Sequence, residues 1–177
     1  MIRTLWRAMP GRPGEGRRDD DGAAAVEFAL VVVPLILIVF GIIAFGIVFA
    51  QQLALNNSAR EAARWGVVRT VDGGAGRDCR DILATARTAA SAIGMTSGNV
   101  GVTVSRGGST LCSVAAGTAL PASGTGYTTR PCVGSGSGTS DQLEVITTYR
   151  STVVVPLLPL PTFDLRGAGV FRCEYST

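Results

Sequence analysis

The chain has no histidine and no lysine, so all 16 of its basic residues are arginine. Without an imidazole there is no histidine-based triad, no histidine metal ligand and no side chain that titrates near neutrality unaided. Catalysis would rest on carboxylates or thiols alone. Late in the chain the acid/base candidates are Asp141, Glu144, Asp164 and Glu174, and ordinary surface carboxylates explain them better. No cysteine pair has CxxC spacing, which removes the usual thiol metal site. We therefore expect no enzyme activity, no cofactor and no metal. The net charge of +3 is small and dispersed, so there is no basic stripe to mark a nucleic-acid partner. An arginine-only, Ala- and Gly-rich composition reflects a GC-rich genome more than a chemical requirement.

Charge is also missing from Phe28 to Ala50, 23 residues directly after Glu27. At 1.5 Å per residue such a helix crosses the ~30 Å hydrocarbon core of a bilayer. A secretory signal peptide is the competing assignment, with Val48-Phe49-Ala50 as a passable cleavage site. Its apolar region is roughly 7 to 15 residues, however, and this run is longer and continues as helix. Ahead of it, residues 1–21 carry five arginines among prolines and glycines, so no stable helix is expected there. Those arginines place the N-terminus in the cytoplasm, diluted by Glu15, Asp19, Asp20 and Asp21 before the span and by Arg60, Arg64 and Arg69 after it.

Three features of the run stand out. Glu27 is costly in a membrane helix unless it lies at the headgroups or has a partner. Pro34 removes a backbone donor and predicts a kink. Gly46, Ala50, Ala54, Ser58, Ala62 and Gly66 form a row of small residues at intervals of four, which is either a helix-packing ridge or the incidental product of an alanine-rich helix.

Beyond the span, Leu55, Ala59, Ala62, Ala63, Gly66 and Val67 share one helical face. The first helix is thus expected to run from Ala23 to Val71 and stop at Asp72-Gly73-Gly74. A second helix is expected from Cys79 to Ile93, with Asp78 as N-cap, Gly94 as C-cap and an apolar stripe of Ile82, Leu83, Ala86, Ala89, Ala90 and Ile93. Strands follow at Val100–Val104, then through Leu111 and Val114 after an Arg106-Gly107-Gly108-Ser109 turn, then Leu143–Val155 and Ala168–Tyr175. From Ala115 to Ser140 the chain is a Gly/Ser/Thr-rich loop. Its Gly134-Ser-Gly-Ser-Gly138 has neither the preceding strand nor the following helix of a phosphate loop. Pro156-Leu-Leu-Pro-Leu-Pro161 cannot continue a central strand and reads as an apolar connection that covers the core edge or faces lipid or a neighbouring subunit.

Cys79, Cys112, Cys132 and Cys173 all follow the apolar run, and an even set outside the cytoplasm reads as two disulfides. Four cysteines allow three pairings. Of these we expect Cys112 with Cys132, closing the loose loop, and Cys79 with Cys173, tying the second helix to the last strand.

One segment resembles a known family. Gly22-Ala23-Ala24-Ala25-Val26-Glu27-Phe28-Ala29-Leu30, Pro34, Phe40-Gly41-Ile42, Phe45-Gly46, and Gln51-Gln52 through Asn56-Asn57-Ser58-Ala59-Arg60-Glu61-Ala62-Ala63-Arg64 together resemble the TadE-like minor pseudopilins of tight-adherence (Flp-type) pilus systems. The closing Phe171-Arg172-Cys173-Glu174 is similar to the family's terminal strand. The resemblance implies that a membrane-embedded prepilin peptidase cuts after Gly22. Ala23 then becomes the mature N-terminus, and Glu27, now the fifth residue, neutralises an α-amino group as the helix enters a bundle of other pilins. A paired charge costs far less to bury than a lone one. Asp19 to Asp21 depart from the pattern, standing where basic residues more usually precede the glycine.

The expected fold is α+β: a long N-terminal helix, membrane-spanning in its first half, and a small extracytoplasmic head of one further helix and a short antiparallel sheet. Residues 1–22 form a cytoplasmic leader, 23–50 the span, and 51–177 the head with the continuation of the first helix. The implied partners are lipid, the peptidase, other pilins or pseudopilins and the pilus assembly platform. The implied location is the cytoplasmic membrane, with incorporation into surface pili. The alternative is a single-pass envelope or binding protein unrelated to pili.

Overall fold

Periodicity of 3.6 gives way to periodicity of 2 near residue 100, and the elements of a computed structural model follow that change. The structure describes residues 17–68, 76–122, 127–133, 142–153 and 162–173. In order they form helix α1 (Arg17–Val67), helix α2 (Cys79–Ala89), a 3-10 turn (Ser97–Asn99), and strands β1 (Gly101–Arg106), β2 (Ser109–Val114), β3 (Gln142–Ser151) and β4 (Phe163–Arg172). The α+β class with a long apolar N-terminal helix and a small head is as expected. The chain divides into two units, Met1–Gly41 and Ile42–Thr177.

The first unit contains the start of α1. Helix begins at Arg17, five residues ahead of Gly22, which corrects the expectation of a non-helical leader up to residue 21. The glycines and prolines that argue against helix end at Gly16, and from there the chain has no breaker until Gly22. From Gly22 to Ile43 no residue is buried.

In the second unit the four strands form one antiparallel sheet in the order β2-β1-β3-β4. Gly107 and Gly108, with φ of 56° and 84°, make the two-residue β1–β2 turn, in which both positions need the left-handed region. One face carries Cys112 and Val114 of β2, Val102 and Val104 of β1, Leu143, Val145 and Thr147 of β3, and Gly167 and Gly169 of β4. All are buried and in matching register. Strand alternation puts these residues on one side, and the helices cover that side.

Helix α2 packs on β1 and β2, with Cys79, Ile82, Leu83 and Ala86 inward. The later part of α1 lies on β3 and β4. Its expected stripe of Leu55, Ala59, Ala62, Ala63, Gly66 and Val67 is fully buried. Between the helices, Gly66 faces both Leu143 and Ile82 with no room for a side chain.

Several boundaries differ from expectation. Helix α1 ends at Val67, before the exposed Val68; Asp72-Gly73-Gly74 lies outside the described residues. Helix α2 starts after Asp78 as expected, although the Asp78 carboxylate makes no cap hydrogen bond and pairs with Arg130 at 3.0 Å, and the helix ends at Ala89. Gly94, with φ 79°, turns a tight loop closed by an Ala92–Met95 bridge and does not cap the helix, and Ile93 points to solvent. Strand β3 stops at Ser151, and β4 starts at Phe163, five residues before Ala168. Pairing with Tyr149, Arg150 and Ser151 extends Leu165, Asp164 and Phe163 into the sheet.

The disulfide pairing also needs correction. The bonds are Cys79–Cys112 and Cys132–Cys173, with Cα separations of 6.3 and 5.4 Å. Helix α2 sits over β2, at the opposite sheet edge from β4, so Cys79 meets Cys112 and cannot reach Cys173. Residues 127–133 run past β2 and the β1 end: Tyr127 donates to the Ser113 carbonyl, and Arg106 to that of Pro131. This path delivers Cys132 to Cys173. Gly134–Gly138 and Pro156–Pro161 lie outside the described residues.

Candidate functional site

Gly22 and Ala23 are helical and exposed, and a Cβ built on Gly22 would meet nothing within 4 Å. Glu27 follows on the same helix, exposed. Ala23 and Glu27 are four residues apart and so lie on one helical face. Among the described residues Glu27 has no hydrogen-bond or ion-pair partner within its own chain. Pro34 lies inside α1 without ending it, which leaves the Leu30 carbonyl without the amide of residue 34 as its donor. Helix residues 22–67 include an apolar, largely exposed stretch long enough to serve as a single membrane anchor.

The small-residue row divides in two. Ser58, Ala62 and Gly66 are buried inside the head and Ala54 is half-buried, while Gly46 and Ala50 are exposed. Ser58 returns its hydroxyl to the Leu55 carbonyl at 2.9 Å. Three of the six residues thus bring α1 onto its own head. Gly46, with nothing within 4 Å of a built Cβ, and Ala50 remain open to another helix.

What fastens α1 to the head includes residues without apolar periodicity. Gln51, almost fully buried, donates its amide to the Ile93 carbonyl at 2.7 Å and accepts the Ser151 hydroxyl at 2.6 Å. Thr147 donates to the Leu55 carbonyl at 3.0 Å, and Gln52 to the Arg166 carbonyl at 2.7 Å. Gly167 and Gly169 face the α1 backbone at Leu55–Asn56 and Ala59–Arg60. The sequence carried one signal for this junction, Gly167-Ala168-Gly169 within a strand, which marks close backbone approach.

Arg87 is a second residue that apolar patterning missed. It is 4% exposed and donates to three backbone carbonyls: Nε to Val100 at 2.9 Å, Nη1 to Thr118 at 2.6 Å and Nη2 to Ala115 at 2.7 Å. Desolvation pulls its pKa below the ordinary guanidinium value. It has no carboxylate partner among the described residues, and the carbonyl dipoles hold the guanidinium and pin the start of the long loop to α2.

Of the four carboxylates considered for chemistry, Glu144 accepts a hydrogen bond from Ser105 at 3.3 Å. Asp164 is bound to Arg150 at 2.9 Å, and hydrogen bonding to that guanidinium, then its charge, holds the carboxyl below its ordinary range. A general acid needs the opposite shift. Asp141 and Glu174 lie outside the described residues. No group of three or more metal-ligating side chains forms among the described residues.

Residues 22–64 match the family described as TadE-like protein. The match begins at Gly22 and covers the segment in which the resemblance was read. No curated protein and no solved structure matches the chain.

Proposed function

We propose, from the premise that residues 22–64 are a TadE-like segment, that this chain is a minor pseudopilin acting in the biogenesis of a tight-adherence pilus. The TadE-like family goes with Tad pilus systems and their components, and a single apolar N-terminal helix fits an anchored subunit. On this reading prepilin peptidase removes residues 1–22, the helix stays in the cytoplasmic membrane with the head outside, and the subunit then bundles against other pilins at the assembly platform. It performs no reaction of its own.

The observation that carries the proposal is Glu27, an exposed carboxylate in an apolar helix with no partner in its own chain among the described residues. Such a group needs a counter-charge before it enters an apolar bundle. The α-amino group created at Ala23 supplies one from this chain or a neighbour. Cleavage at Gly22 requires the helix there to unwind into the peptidase cleft. Glycine, about 1 kcal/mol poorer than alanine in a helix, makes this a favourable place to open.

N-terminal sequencing of membrane and sheared-fibre fractions tests the reading. Ala23 as first residue in both is expected, with Gly22→Phe leaving the leader attached. An intact leader on protein from peptidase-containing cells would favour an anchored envelope protein unrelated to pili.

A further inference from the structure

We propose that the Ala92–Met95 turn is a membrane-contact element, with Ile93 inserted into the lipid leaflet on the head side. The proposal rests on the reading of residues 28–50 as a membrane span. Gln51 is the first residue after that charge-free run. A helix of this length measures about 34 Å against a core of about 30 Å, so Gln51 falls within about a turn of the hydrocarbon edge. Its side chain does not turn to water. It is buried by the head, bound to the Ile93 carbonyl and the Ser151 hydroxyl, which brings both to the level of Gln51.

Ile93 is 70% exposed and is presented by a rigid turn. Gly94 supplies the positive φ, the Ala92–Met95 bridge closes the loop, and Tyr149 donates to the Gly94 carbonyl at 2.8 Å. A branched apolar side chain at such a tip, facing water, is unfavourable; facing acyl chains, it is favourable.

Charge placement agrees. The chain has no charged residue from Thr88 to Ser105, or from Ser151 to Phe163; Gln51 bonds to Ile93 within the first stretch and to Ser151 at the start of the second. At the same end of the sheet, Arg150 and Arg166 are exposed, with Asp164 paired to Arg150. Arg166 shares its backbone carbonyl with Gln52. Exposed guanidinium groups at that end of the sheet suit the phosphate layer of a bilayer, where arginine keeps its charge among headgroups.

The test uses full-length protein with Trp6→Phe and Trp65→Phe, carrying one tryptophan at a time, in phosphatidylethanolamine–phosphatidylglycerol liposomes containing lipids brominated both high in the acyl chain, at the depth of Ile93, and near its end, at the depth of Val39. The reporters are Ile93→Trp, Val39→Trp within the span, and Val133→Trp, exposed at the other end of the sheet. Expected are strong quenching and blue-shifted emission for Ile93→Trp and Val39→Trp, and an unquenched, red-shifted signal for Val133→Trp. Quenching at Val39→Trp but not Ile93→Trp overturns the turn's role, as when a neighbouring subunit or water covers it, and leaves the span standing. No quenching at Val39→Trp overturns the span reading and the proposal with it. Equal quenching at Ile93 and Val133 overturns a localised contact.

Discussion

Gly169 of β4 lies directly under the carbonyl of Ala59 in α1, with no space for a Cβ between them. Two residues along the strand, Gly167 stands in the same relation to Leu55. Four helical residues rise about 6.0 Å and two strand residues about 6.8 Å, so the successive contacts keep step and the helix rides along β4. The later part of α1 is thereby joined to the head by backbone packing, reinforced by the hydrogen bonds of Gln51, Gln52 and Thr147.

Adding one methyl group at this junction should be costly. Gly167→Ala and Gly169→Ala each destabilise the head by about 1–3 kcal/mol through overpacking, seen as a lower urea midpoint for detergent-solubilised protein. Because the two sites are neighbours, their effects are not additive. Gly46→Ala, at an open position, leaves that midpoint unchanged. A loss of fibre incorporation with Gly46→Leu would then report contact with another helix.

Arg87→Met removes the donor shared by the Val100, Ala115 and Thr118 carbonyls and should cost about 3 kcal/mol, the penalty expected for unsatisfied buried polar groups. Arg87→Lys should recover only part of it, since one ammonium lacks the planar fork that reaches three acceptors. Equilibrium unfolding of the two variants beside the parent checks the order.

Non-reducing peptide mapping should return Cys79 linked to Cys112 and Cys132 to Cys173. Their sequence separations of 33 and 41 correspond to about 4 kcal/mol each by loop closure in the unfolded chain. Paired Cys→Ser replacement of either bridge should lower the unfolding midpoint markedly.

The Asp164 carboxyl should titrate below its ordinary value in an NMR pH series, because the Arg150 guanidinium bonds and attracts its charged form. A depressed folded pKa means that the pair's contribution is present above the unfolded carboxylate range, near pH 4. It is lost as the pH falls through the folded value. Arg150→Ala should return the Asp164 midpoint to the ordinary range. The pair is exposed, so added salt should weaken the shift.

Local pattern fixed a good deal of this protein. The charge-free run, the buried stripe from Leu55 to Val67, the start of α2 after Asp78, the Gly107-Gly108 hairpin and the inward set Leu143, Val145, Thr147 and Ser151 all follow from periodicity and turn chemistry. Each depends on neighbours within a few residues. The Gly22-to-Arg64 resemblance is likewise contiguous sequence, which is why the family match falls there.

The tertiary structure decided what those elements meet. Period alone cannot say that α2 covers β1 and β2 while α1 covers β3 and β4, and that choice selects the disulfide pairing. It also determines that Arg87, on a helix whose apolar stripe was legible, is drawn into the core by three distant carbonyls. The same holds for Gly167 and Gly169, whose lack of side chains acquires meaning only when a helix from more than a hundred residues earlier lies on them. The sequence by itself set an apolar rod, its carboxylate and the periodic faces, because these are properties of near neighbours. Only the fold set the joint between the later part of α1 and the sheet, because that joint is made of backbone contacts between segments far apart in the chain.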